Sequence, residues 1–186
     1  MLKKIGFTIL GIVLLLVIVG FFLPAQYSAN RSIVIKAPVA TVFDQVNDLQ
    51  KWDAWSPWSA EDQTIKVTYG EITKGKGASY SWTSEKSGEG TLTIEKSIEN
   101  ASITTDLDFT DEGKAKGIWT FEETDDGTKV TWGINGDAGY NLINRYFGLM
   151  IDTFVGPYFD RGLAKLKEVA ESIPQKEEDA LTKKEN

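Results

Sequence analysis

The stretch NLINRYFGLMIDTFVGPYFDRGLAKLKEVA (Asn141–Ala170) is the one long helix pattern after the apolar N-terminus. Leu142, Leu149, Gly156, Leu163 and Ala170 recur seven apart, and Arg145, Asp152, Phe159 and Leu166 fill the steps between them. Steps of three and four put these positions on one helix face. A basic and an acidic residue interrupt that face midway. Gly156-Pro157 is expected to bend or break the helix, because proline lacks an N–H donor and clashes one turn back. Such a helix needs a large partner surface.

Residues 65–135 offer one, because there the hydrophobic period switches to two. Ile65, Val67 and Tyr69 alternate with polar residues. So do Ala78, Tyr80 and Trp82; Leu92 and Ile94; and Ile103, Thr105, Leu107 and Phe109. Trp119 and Phe121, then Val130, Trp132 and Ile134, complete the set. Turn signals separate the runs: Gly75-Lys76-Gly77, Ser87-Gly88, Glu99-Asn100, Asp111-Glu112-Gly113 and Asp125-Asp126-Gly127. This predicts an antiparallel meander with one wet and one apolar face.

Before the meander, Tyr27–Lys36 reads as a strand, with Ile33 and Ile35 on one side and Val34 on the other. Ala37-Pro38 opens a helix carried by Val39, Val42, Phe43 and Val46. Leu49–Trp58 is expected to form a second short helix ending before Pro57. The fold class is therefore α+β: a curved antiparallel sheet of about seven strands around a long C-terminal helix, with two short helices after the first strand.

Ile5–Leu23 is uncharged and preceded by Lys3 and Lys4. At 1.5 Å per residue it reaches roughly 28 Å, close to the hydrocarbon thickness of a bilayer. A membrane anchor over residues 1–25 is preferred to a cleaved signal peptide, whose apolar core is shorter. The two lysines place the N-terminus in the cytoplasm and the domain, residues 26–173, outside the cell membrane after a single pass. Residues 174–186 are charged, with little to bury, and are expected to be disordered.

The chain has 186 residues, a net charge of −7, no histidine and no cysteine. That excludes disulfides, thiol chemistry, Cys/His zinc sites and His-based acid–base schemes. Without a basic stripe, an acidic domain is a poor nucleic-acid binder. No cofactor and no metal site is expected, and the paired acids Glu61-Asp62, Asp111-Glu112 and Asp125-Asp126 read as solvated turns.

Four stretches resemble the START-like (SRPBCC) superfamily with its helix-grip fold: RSIVIKAPVATVFDQVNDLQKWDAWSPW, KGKGASYSW, GIWTFEETDDGTKVTW and RYFGLMIDTFVGPYFDRGLAKLK. Within it the chain resembles the polyketide cyclase/dehydrase branch in its membrane-anchored bacterial form. The resemblance covers Tyr27 to about Ala170. It implies a deep cavity between sheet and long helix for apolar or amphipathic small molecules. Some members of the superfamily are cyclases or dehydratases, and others bind or carry lipids. The acids and histidines of the catalysing members have no counterpart here.

The expected ligand-binding set is Trp55, Trp58, Tyr80, Trp82, Trp119, Phe121, Trp132, Arg145, Leu149 and Asp152. The rings either line an open cavity or fill the core; the open cavity is preferred, chiefly on the resemblance. Arg145 and Asp152 either anchor a ligand's anionic or hydroxyl group or hold a structural network; a buried unpaired charge is costly, so both readings need a partner, and the network is preferred because structural networks also place charges in clefts. Trp52, Trp55 and Trp58 form a rim at a cavity mouth, an interfacial aromatic belt touching lipid near the anchor, or a plug under the first helix, with the plug preferred for at least two of them. The expected function is a membrane-anchored binding protein for a hydrophobic or lipid-like molecule. The alternatives are a cyclase- or dehydratase-type enzyme and an envelope interaction module without a ligand.

Overall fold

Alternation along each strand sorts side chains into an inner apolar face and an outer polar one, and hairpin turns fold the strands into a single sheet. In the computed structural model, which describes residues 2–110 and 113–174, the sheet has seven antiparallel strands in the order β1-β7-β6-β5-β4-β3-β2. They are β1 (Gln26–Ile35), β2 (Lys66–Tyr69), β3 (Ser79–Ser84), β4 (Gly88–Ile98), β5 (Ser102–Asp108), β6 (Lys114–Thr124) and β7 (Gly127–Asp137). The meander is continuous from β2 to β7, and β1 closes on β7 through the pairs Arg31↔Trp132 and Ile33↔Val130. A register shift between Ile94 and Lys96 interrupts the β4–β5 ladder. The expected turn residues Asp111 and Glu112, and the expected disordered tail from residue 175 onward, lie outside the described residues.

Among the described residues four α-helices accompany the sheet: α1 (Leu2–Phe22), α2 (Val39–Asn47), α3 (Pro57–Glu61) and α4 (Leu142–Ser172). A 3-10 turn over Leu49–Ala54 separates α2 from α3, with Asp48 accepting from the Gln50 N–H at 3.1 Å. The short helix expected to end before Pro57 is this 3-10 helix, and Pro57 itself starts a further helix, α3, at the first helical position, where its missing N–H costs nothing. α1 is long and apolar enough to cross a membrane. Among its described residues only Gly20 is buried.

α4 begins at Asn141, whose side chain accepts from the Asn144 N–H at 3.1 Å. It runs through Pro157 as one continuous helix, so of the expected bend or break the break is absent. Proline removes one hydrogen bond, while Gly156 and Phe159, before and after it in the chain, are buried. The buried residues of α4 are Gly156, Phe159, Gly162, Leu163, Leu166 and Ala170, all from its middle onward. α4 docks chiefly along β1, and α2 and the 3-10 turn cover much of the remaining inner face.

Candidate functional site

The inner face is built around five rings in contact, three of them stacked. Trp119 and Trp132, opposite each other on β6 and β7, stack with centroids 4.5 Å apart, and Phe159 of α4 stacks on Trp132 at 4.1 Å. Trp55 meets Trp119 and Trp132 edge-on at 5.6 and 6.0 Å, and Trp52 lies 4.9 Å from Trp55. Burial would strand both indole N–H groups, so each donates to a carbonyl freed near the end of α2: Trp52 to Val46 at 2.9 Å and Trp55 to Gln45 at 3.2 Å. Phe121 packs edge-on against Phe43 at 5.3 Å. The space under the second half of α4 is therefore filled by Trp55, Trp119, Trp132 and Phe159.

Toward β2, β3 and β5 the packing loosens. From Trp52 a line of edge-to-face rings runs to Tyr80 at 6.2 Å, Trp82 at 6.1 Å and Phe109 at 5.8 Å. Tyr80, Trp82 and Phe109 are only half-buried, as are Tyr69, Leu107 and Ile134 on the same inner face. Gly90, paired with Trp82 across β4, makes room for that ring: a Cβ there would lie 2.4 Å from it. Burial raises the Tyr80 hydroxyl above its ordinary pKa, so it stays a neutral donor. It has no hydrogen-bond partner among the described residues. Trp58 stands apart from this line, stacked on Tyr158 of α4 at 4.5 Å, with Arg161 lying 4.7 Å over Tyr158 and pairing with Glu61.

The two charges singled out on α4 have separate protein partners. Asp152 takes both hydrogen bonds from one guanidinium, Arg31 Nη1 at 2.6 Å and Nη2 at 3.1 Å, while Arg31 Nε donates to Asp160 at 3.3 Å. Those hydrogen bonds, with the guanidinium charge, hold the Asp152 carboxyl below the usual carboxylate range. Arg145 instead donates to the Gly139 carbonyl at 2.8 and 2.7 Å and to carbonyls at the end of α1, Phe21 at 2.9 Å and Leu23 at 3.0 Å. Leu149 is exposed. Sequence reasoning missed Arg31, although its alternation with Ile33 and Ile35 places it on the inner face.

Surface hollows lie elsewhere. One of about 650 Å³ flanks α2 beside Asp44, Lys51, Lys74 and Ser97, and another of about 630 Å³ sits near Tyr27, Lys116 and Asp137. Among the described residues no group of three or more acidic side chains is placed to hold a metal ion.

This sheet-and-helix arrangement has known relatives. The ribosome association toxin RatA of Pseudomonas aeruginosa is 24% identical over 136 residues, spanning 70% of this chain and 83% of that protein. A Staphylococcus aureus protein of unknown function superposes with a TM-score of 0.59 at 12% identity, over 79% of this chain and 94% of that one. The Aha1 dimer from Colwellia psychrerythraea gives 0.54 at 15% identity, over 78% and 96%. At these identities the structures establish a shared fold alone. The family described as polyketide cyclase / dehydrase and lipid transport matches residues 26–171, which takes in the whole sheet and nearly all of α4. The chain therefore belongs to the polyketide cyclase / dehydrase and lipid transport family.

Proposed function

We propose that the protein binds a hydrophobic or amphipathic, lipid-like small molecule on the inner face of its sheet, and that α1 anchors it in the cell membrane. The observation that carries this reading is the half-open ring line Tyr80–Trp82–Phe109 beside a fully packed core. Ligand sites combine apolar walls with a few polar groups, and the neutral Tyr80 hydroxyl supplies one. Tyr80, Trp82 and Phe109 contact the ligand in this reading, and Trp55, Trp119, Phe121 and Trp132 form the floor beneath them. The family's description, which includes lipid transport, supports the ligand class.

Binding is favoured over cyclase or dehydratase chemistry. Both oxygens of Asp152 are engaged by Arg31, Arg145 is engaged by carbonyls, and the chain has no histidine. Lys3 and Lys4 favour a cytoplasmic N-terminus and an external domain. Protease added to spheroplasts should then remove the domain; full protection would reverse the orientation.

The ligand is tested on the full chain purified from bacterial membranes, comparing wild type with Trp82→Ala by native mass spectrometry and lipid extraction. The expected result is a copurifying lipid-like molecule that the variant loses. Equal retention by both, or none by wild type with lipid extract added, would overturn the reading.

A further inference from the structure

The first half of α4 presents apolar side chains that the described chain leaves about half exposed or more. Ile143, Phe147, Met150 and Phe154 are 69%, 58%, 50% and 48% exposed, and Tyr140, just before the helix, is 90% exposed. Their 4–3–4 spacing puts the four helical positions within about 60° of one another at ~100° per residue. Gly148, Asp152, Gly156 and Phe159, on the side of β1 and the core, fall nearly opposite. From Ala138 to Ile151 the only charge is Arg145, already engaged by carbonyls. An exposed apolar stripe of this kind requires an occupant.

The contacts between α4 and α1 indicate which. The Tyr146 hydroxyl donates to the Leu16 carbonyl at 2.7 Å, inside α1 and roughly 9 Å before its end at 1.5 Å per residue. Arg145 caps the last carbonyls of the same helix. Gly20 admits the neighbour: a Cβ there would lie 3.3 Å from the Tyr146 ring and 3.4 Å from Leu142 Cβ. The start of α4 is thus fastened at the level of Leu16–Leu23. If α1 spans a bilayer, that level is the outer leaflet and its interface. Helices that lie in the interface have this composition, an apolar face with aromatic residues at its border.

We infer that the first half of α4 is an interfacial helix, whose stripe Ile143, Phe147, Met150 and Phe154 rests in the outer leaflet of the bilayer that α1 crosses. The domain is then held in a fixed pose on the membrane rather than swinging from a tether. The inference rests on the reading of α1 as a span, and on nothing about the ligand.

The chain has no cysteine, so single labels can be placed cleanly. The full chain is reconstituted in phosphatidylcholine/phosphatidylglycerol vesicles with an environment-sensitive fluorophore at Phe147→Cys, Phe154→Cys, Leu14→Cys within α1, or Lys96→Cys on the sheet's outer face. The expected result is a blue-shifted emission at Phe147→Cys and Phe154→Cys. Nitroxides near the top of the acyl chains should quench these labels more than nitroxides near the chain ends. Leu14→Cys should show the reverse preference, and Lys96→Cys no quenching. Lipid quenching at Leu14→Cys without any at Phe147→Cys and Phe154→Cys overturns the inference while the anchor stands. No quenching at Leu14→Cys fails the anchor and the inference with it. Label-to-label quenching between chains at Phe147→Cys, without lipid quenching, would assign the stripe to a second copy and likewise overturn it.

Discussion

Arg31 of β1 lies across Gly156 of α4: a Cβ on that glycine would stand 2.1 Å from Arg31 Nη2 and 2.8 Å from its Cζ. The absent side chain lets the guanidinium cross the helix and reach Asp152 one turn before and Asp160 one turn after. One strand residue thereby fixes both the rotation and the height of the long helix.

Gly156→Ala should displace Arg31 and uncouple it from Asp152. Alanine gains up to about 1 kcal/mol in helix propensity, which offsets part of the loss. Total stability is therefore a poor readout, and the coupling is measured instead. A double-mutant cycle of Arg31→Met with Asp152→Asn, read by denaturant unfolding, should show favourable coupling in the wild-type background and little in Gly156→Ala. Equal coupling in both would show that the glycine does not set the contact.

Gly162→Ala should be destabilising outright. Its Cβ would fall 2.7 Å from the Trp132 ring and 3.0 Å from Pro57 Cδ. Trp132 is clamped between Trp119 and Phe159 and has nowhere to move. Overpacking costs about 1–3 kcal/mol, more than the helix-propensity gain of up to about 1. Thermal unfolding of the full chain checks the sign.

Trp132→Ala and Trp82→Ala should separate stability from binding. The first removes the centre of the ring stack and should cost about 3–5 kcal/mol. The second removes a half-buried ring at the open end and should cost about 1–2 kcal/mol, since less of it leaves water on folding. Denaturation midpoints of the two variants give the order.

Acid should attack the Asp62 knot. Asp62 accepts from Ser84, from Thr64 Oγ1 at 2.6 Å, from Ser87 at 2.7 Å and from the Thr64 N–H at 2.9 Å. These bonds, led by Ser84, hold its carboxyl well below the usual range. A depressed folded-state pKa stabilises the fold above the unfolded value of about 3.9, and that contribution is lost as pH falls toward the folded one. Asp62→Asn should therefore lower stability at neutral pH and flatten the acid limb below about pH 4. Asp44, Asp108 and Asp152 are shifted the same way, so part of the limb should remain in the variant.

Much of the fold is legible in the sequence for a local reason. A period of two over residues 65–135 and steps of three and four in α4 are properties of neighbouring residues, and they identify the meander and the long helix. The same alternation puts Tyr80, Trp82, Trp119, Phe121 and Trp132 on one face, as found. Pro57 was harder, because proline suits a first turn as well as it follows a helix; here it does both, coming after the 3-10 helix Leu49–Ala54 and opening α3.

The charges on α4 were not legible in this way. Arg145 and Asp152 share a helix face at a spacing of seven, which says where they point and nothing about what they meet. Asp152 meets an arginine 121 positions earlier, and Arg145 meets the carbonyls of α1 more than 120 positions earlier. Nor does the pattern reveal that the rings under α4 close into a stack while those toward β3 stay half open. By itself the sequence determined the elements, their order and the inner and outer sides of the sheet, because these follow from local periodicity. Only the tertiary structure decided the partners of the charges and the filling of the core. Both depend on which distant backbones approach, and on glycines such as Gly156 and Gly162 that let them come close.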